Sequence, residues 1–218
     1  MRTGRVSGEE FDRRAVEAWA AEHAVECLYF LAPSEGRAMA HATEAGFRVM
    51  DVRITLARTA ADAAPAPLRS AGADDAGRLR EIARVSHRTT RFYADPRFPD
   101  ERCDDLYDGW IQNSLDGWAD TVLVVDREQV AAGYVTCHVE PETDSAVVGL
   151  IAVAPEARRR GLGGELVAGA LAWCRAHGVV RLTAATQGRN VAAVRLFERA
   201  GFRTESVGLW LHAWYERP

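Results

Sequence analysis

From residue 68 onward, runs of apolar residues alternate with segments whose apolar positions recur every three or four residues, the two periodicities that mark strands and helices. A strand near Leu68 leads to Asp74-Asp75, an N-cap pair, and to a helix carrying Leu79, Ile82 and Val85. Residues 87–103 read as a polar, aromatic, proline-containing loop, followed by a helix through Leu106, Trp110 and Ile111 to Trp118. Thr121–Val125 and Val130–Val139 predict a hairpin turning at Asp126-Arg-Glu, and Ala146–Val153 the next strand. Leu162, Leu166, Ala170, Trp173, Cys174 and His177 share one helical face. A strand (Val180–Thr186), a helix (Asn190–Ala200) and a last strand or strands (Phe202–Tyr215) close the chain. The order β-α-α-β-β-β-α-β-α-β predicts an α/β protein, an α+β arrangement on a mixed sheet.

The segment Arg58–Pro67 is small, proline-bearing and aperiodic, and reads as a linker between residues 1–57 and 68–218. The N-terminal part is too short for a comfortable core of its own. It also carries a repeat. Ala45-Gly-Phe-Arg48 recurs as Ala200-Gly-Phe-Arg203, and at the same offset Val52, Ile54 and Leu56 match Val207, Leu209 and Leu211. Extended backwards without a gap, Val25–Leu31 falls on the strand Val180–Thr186, so residues 25–57 read as a second copy of the C-terminal β-α-β unit.

Composition narrows the classes. The 218 residues carry 48% hydrophobic and 27% charged positions, ordinary for a globular protein, and a net charge of -4 that argues against a general nucleic-acid binder. Cys27, Cys103, Cys137 and Cys174 are widely spaced, with no metal-ligand cluster, which suggests free thiols in a reducing compartment. Without an apolar leader or a membrane-length run, the expectation is a cytoplasmic protein with no membrane partner.

The densest chemistry lies in Ile151-Ala-Val-Ala-Pro-Glu-Ala-Arg158-Arg-Arg-Gly161-Leu-Gly-Gly164. A strand exit, three arginines and a glycine-punctuated helix start offer backbone N–H groups, a helix dipole and bidentate cations to a phosphate. A Walker A loop is excluded because the chain has no lysine, and the glycine spacing is not that of a dinucleotide fingerprint. Arg158, Gly161 and Gly163 fit Arg-x-x-Gly-x-Gly between strand and helix, and in this setting the loop resembles the acyl-CoA pyrophosphate loop of the GCN5-related N-acetyltransferases. Elsewhere, Arg91-Phe-Tyr93, the Trp110 helix, Ala185-Thr-Gln-Gly-Arg-Asn190 and Trp210-Leu-His resemble members acting on nucleotide-linked 4-amino-4,6-dideoxy sugars, which also carry a partial acetyltransferase-like N-terminal domain.

The resemblance implies acetyl-CoA as co-substrate, bound by Ile151, Ala152, Val153, Arg158, Arg159, Arg160, Gly161, Leu162, Gly163, Gly164, Asn190, Ala193 and Phe197. Leu150–Val153 would splay from its neighbour to receive the pantetheine arm, with the Val153 N–H holding the oxyanion. His87, Arg88, Arg91, Phe92, Tyr93, Arg97 and Trp110 would line the side of the small-molecule amine. His138 and Glu140, at a strand end, are base candidates. Where family members place a leaving-group tyrosine stands Phe197, which cannot donate a proton; Tyr93, Tyr215 or a water would substitute. Three readings stay open: acetylation of a nucleotide-linked amino-deoxy sugar by direct transfer, acetylation of another amine metabolite or antibiotic, and a non-catalytic acyl-CoA-binding module. A homodimer is also open.

Overall fold

The computed structural model describes residues 2–8, 12–66 and 68–215. Its strands are β1 (Thr3–Val6), β2 (Cys27–Pro33), β3 (Arg48–Thr59), β4 (Arg69–Ser70), β5 (Thr121–Arg127), β6 (Val130–Glu140), β7 (Ser145–Val153), β8 (Arg181–Gln187) and β9 (Arg203–Trp214). The helices are α1 (Arg13–Glu22), α2 (Ala38–Glu44), α3 (Ala76–Ser86), α4 (Arg91–Ala94), α5 (Asp100–Asn113), α6 (Leu162–Ala176) and α7 (Val191–Arg199). All strands join one mixed sheet in the order β1-β2-β9-β3-β8-β7-β6-β5-β4.

Three local expectations are corrected. The stretch 87–103 is not irregular throughout: it holds α4 and the first turn of α5. Val85 faces solvent, and Ala83 joins Leu79 and Ile82 in the core instead. The segment read as a linker is partly structural, because β3 runs to Thr59 and Ala60 and Ala63 are buried in the main core.

The repeat has a geometric counterpart. β2-α2-β3 and β8-α7-β9 exchange their second strands: β9 pairs antiparallel with β2, β3 pairs antiparallel with β8, and β3 and β9 pair with each other between them. Arg53 lies opposite Gly208, its own equivalent in the repeat, which places a pseudo-two-fold axis there. The β2–β9 register agrees with the β3–β8 register to within one residue: the pair Cys27↔Trp214 maps onto Leu182↔Thr59, and Leu182 faces Arg58. The small core of α1, β2 and α2 is completed by Leu211 and Ala213 of β9. The N-terminal segment therefore supplies a central strand to the sheet and takes core residues in return.

The main core lies on both faces of β5–β8, with α3 and α5 packed together on one side and α6 against β5, β6 and β7. One irregularity positions the site. Val135 faces Ile151 and Cys137 faces Val148, so Gly149 and Leu150 together oppose Thr136, a bulge on β7. The Thr136 hydroxyl accepts the Leu150 N–H at 2.9 Å. A bulge bends its strand, and the β7–β8 ladder ends one residue earlier, at Val148↔Ala184.

Candidate active site

Beyond Val148, β7 stays paired with β6 but leaves β8, and a wedge opens between them. A cavity of about 350 Å³ occupies it, bounded by Gly149–Ile151 on one strand, Ala185–Gln187 on the other, Asn190, Ala193 and Phe197 of the α7 region, and His87, Arg91, Phe92, Tyr107 and Trp110 from α3 to α5. Leu150 N–H turns to Thr136 and Ala154 N–H to Ala132 O (2.8 Å), both on β6. Strand alternation then directs the N–H groups of Ile151 and Val153 to the opposite edge, into the wedge.

The arginine-glycine loop follows β7 through one 3₁₀ turn, Pro155–Ala157. Gly161 adopts φ 86°, a left-handed conformation that glycine reaches without steric cost. Gly164 and Glu165 N–H bond back to Gly161 O, while the first-turn N–H groups of Leu162 and Gly163 have no acceptor a turn earlier. Gly163 has a second reason to be small: a Cβ there would lie 3.2 Å from Leu196 Cδ2 of α7, whereas Gly164 faces open space. The arginines divide their work. Arg158 donates to Val153 O (3.1 Å) and Ser86 Oγ (3.3 Å), tying the loop to the end of β7, while Arg159 and Arg160 project into solvent.

On α7, Asn190 caps the helix by accepting the Ala193 N–H at 3.2 Å. Phe197 is buried to 2% exposure against Phe202, though its ring also meets the cavity.

Of the acceptor-side residues, His87, Arg91, Phe92 and Trp110 reach the cavity. Arg88 does not: it pairs with Asp100 and Asp104. Tyr93 also turns away, its hydroxyl donating to Asp104 at 2.6 Å. Arg97 lines a second cavity of about 240 Å³ with Arg48, Asp95, His212 and Trp214. Tyr215 packs on the N-terminal core, and Glu140 accepts from Ser145 Oγ; neither lines the cavity. His138 does not line the cavity either: its Nδ1 donates to the Trp118 carbonyl at 3.2 Å, and its Nε2 edge packs against Gly149, which does. Arg53 and, behind the cavity, Tyr134 carry no signal in the sequence, while Tyr107, Thr186 and Trp210 stand in segments that carry the family resemblance without an assigned site role. Only long-range strand pairing and helix packing bring these together.

Burial, reinforced by Arg158, lowers the His87 pKa from 6.5 to about 4, and its Nε2 meets the Tyr134 hydroxyl at 3.2 Å. The folded state thus keeps His87 neutral while the unfolded chain takes up a proton first. This contribution is complete above the ordinary histidine value and declines as pH falls from 6.5 to about 4, by up to about 1.4 kcal/mol per pH unit. Urea midpoints at pH 7 and 4.5 should therefore fall more steeply for the native chain than for His87→Gln; equal slopes would refute the assignment.

Residues 79–202 match the acetyltransferase (GNAT) family. The chain belongs to that family. It is 30% identical to the dTDP-fucosamine acetyltransferase of Escherichia coli O6:H1 over 169 residues, 77% of this chain and 72% of that one. It is 28% identical to the spore coat polysaccharide biosynthesis protein SpsD of Bacillus subtilis (strain 168) over 140 residues. The chain spans 64% of its own length in that match but only about half, 48%, of the Bacillus protein. Among solved structures, a GCN5-related N-acetyltransferase from Sphaerobacter thermophilus superposes with TM-score 0.68 at 16% identity, covering 94% of this chain and 67% of that one. A tandem GNAT protein from the clavulanic acid biosynthesis pathway gives 0.62, also at 16% identity, covering 94% and 69%. At these identities the structures establish the fold. Among the described residues no helix is long and apolar enough to cross a membrane, no His/Cys/Asp/Glu group is arranged to hold a metal, and the four cysteines are buried free thiols.

Proposed function

We propose that this protein transfers an acetyl group from acetyl-CoA to the amine of a nucleotide-linked amino-deoxy sugar, in a ternary complex without a covalent enzyme intermediate. The observation that carries the reading is the wedge between β7 and β8, which leaves the Ile151 N–H at a cavity wall and the Val153 N–H farther along the same unpaired edge, ahead of a helix start suited to a phosphate. Acetyl-CoA would supply the activated acyl group. Leu162 and Gly163 N–H groups, with Arg159 and Arg160, suit its pyrophosphate; Ile151, Ala152, Asn190, Ala193 and Phe197 border the pantetheine path. Val153 N–H is the donor for the thioester oxygen, where negative charge grows. Holding amine and thioester together supplies the proximity term. His138, packed behind Gly149 of the cavity wall, is the candidate base, reaching the amine through a water. Tyr93 and Tyr215 are poorly placed as acids, and Phe197 has no proton to give. A thiolate of pKa near 8.5 leaves tolerably, taking its proton from water. Residues 1–57 serve as a partial acetyltransferase-like unit that completes the acceptor side. The sugar assignment is supported by the relatives' names and by the aromatic and arginine side chains of the cavity.

The test is a panel of amines, including a dTDP-linked 4-amino sugar, assayed with acetyl-CoA by thiol release. Turnover with highest kcat/KM for the nucleotide sugar supports the proposal. Higher kcat/KM for another amine rejects the acceptor, and acetyl-CoA binding without transfer to any amine rejects the enzyme reading.

A further inference from the structure

Arg91 is buried to 9% exposure, yet no carboxylate lies within ion-pair distance of it among the described residues. Three aromatic rings surround its guanidinium, with centroid distances of 4.3 Å to Tyr29, 4.1 Å to Phe92 and 4.2 Å to Trp210. Its Nη1 donates to His212 Nε2 at 2.9 Å. The acceptor role of Nε2 places the imidazole proton on Nδ1, which donates to Asp95 Oδ2 at 2.7 Å; the Trp214 indole donates to the same oxygen at 2.8 Å. Asp95 is thus separated from Arg91 by the whole imidazole ring. These contacts hold the guanidinium in place, and Arg91 is also one of the residues that line the cavity.

A second arginine shares that cavity. Arg53 of β3 is half-buried, has no carboxylate partner among the described residues, and stands opposite Gln187, itself on the cavity wall. The other charges near this wall do not balance the pair. Asp51 holds Arg189 at 3.3 Å and the Val52 N–H through one oxygen, its second oxygen is buried without a hydrogen-bond partner, and Asp95 bonds His212. Arg53, Arg91 and Arg189 against Asp51 and Asp95 leave a positive surplus at a desolvated surface, and burying uncompensated charge is costly unless a partner arrives.

We propose that Arg53 and Arg91 form an oxyanion subsite that binds a phosphate group of the amine acceptor, with Asp95 and His212 as positioning residues for Arg91. This rests on the acetyltransferase reading above and adds a requirement to it: the acceptor carries its charge at a distance from its amine, and the N-terminal repeat, through Arg53 and Tyr29, helps read it. The phosphate replaces the missing counter-charge, and arginine's fork of N–H donors matches its oxygens.

The measurement compares an amino-sugar phosphate with its unphosphorylated parent as acceptors for the full chain. In the native protein the phosphate should lower KM by roughly ten- to a hundredfold, the size of one or two charge-assisted hydrogen bonds. Arg53→Met should bring the KM ratio close to one, Arg53→Lys should restore part of it, and Asp95→Asn should reduce it while affecting kcat less. An unchanged ratio in Arg53→Met, or no preference in the native protein, overturns the subsite. If neither amine is acetylated, calorimetry with inorganic pyrophosphate in saturating CoA, which fills the loop site, decides it separately. Binding weakened tenfold or more by Arg53→Met supports the subsite; no binding, or equal binding by both proteins, overturns it.

Discussion

Replacing Val153 with proline is expected to lower kcat by roughly 10²–10³, the usual effect of removing one oxyanion donor. The substitution is selective because of the strand geometry. Val153 N–H points away from β6, so the ladder bonds of its neighbours survive: Ala154 N–H still reaches Ala132 O. The preceding residue is already extended, the conformation proline favours before it. Acetyl-CoA affinity should change by only a few-fold, since the loop and α6 are untouched, and Val153→Ala, which keeps the N–H, should retain most of the turnover. Steady-state kinetics with calorimetric titration of acetyl-CoA separate the two effects. A kcat within threefold of native in the proline variant would remove Val153 from the mechanism.

Gly149→Ala should damage both fold and site. A Cβ at this position would lie 2.7 Å from Thr136 Oγ1 and collide with the His138 ring. Thr136 cannot yield easily, being fully buried and holding the Leu150 N–H of the bulge, and a shift of His138 would break its bond to the Trp118 carbonyl and its ring contact there at 4.8 Å. Overpacking of this kind typically costs about 1–3 kcal/mol. Because the bulge bends β7 away from β8, relaxation should also narrow the wedge, so loss of acetyl-CoA affinity should accompany the lowered urea midpoint. A variant of native stability and native affinity would show that the bulge does not set the wedge.

The parts legible from sequence were those written in local order. The arginine-glycine loop is contiguous, its strand and helix have strong periodicities, and Gly161 is needed for a backbone angle set within a few residues. The repeat was legible too, because Ala45–Arg48 and Ala200–Arg203 are identical. Its consequence was not. That β3 would insert between β8 and β9 is a choice among long-range pairings, and no local pattern marks it. Arg53 therefore looked like any polar position on a strand. The acceptor loop failed differently. Its arginines read alike, yet packing sends Arg91 among aromatic rings, Arg88 to Asp100 and Asp104, and Arg97 to another cavity. Single-turn α4 is too short for any periodicity to announce it. Phe197 was legible as a departure from the family pattern, and its burial against Phe202 gives it a packing role.

In the proposed function, the backbone edge left free by β7 and the first turn of α6 together receive acetyl-CoA. Residue-resolved amide exchange with and without acetyl-CoA tests it most directly. Protection should rise at Ile151, Val153, Leu162 and Gly163, while Leu150 and Ala154, already bonded within the sheet, change little. Saturating acetyl-CoA that leaves Ile151 and Val153 exchanging as in the free protein, or protects a different surface, would contradict it.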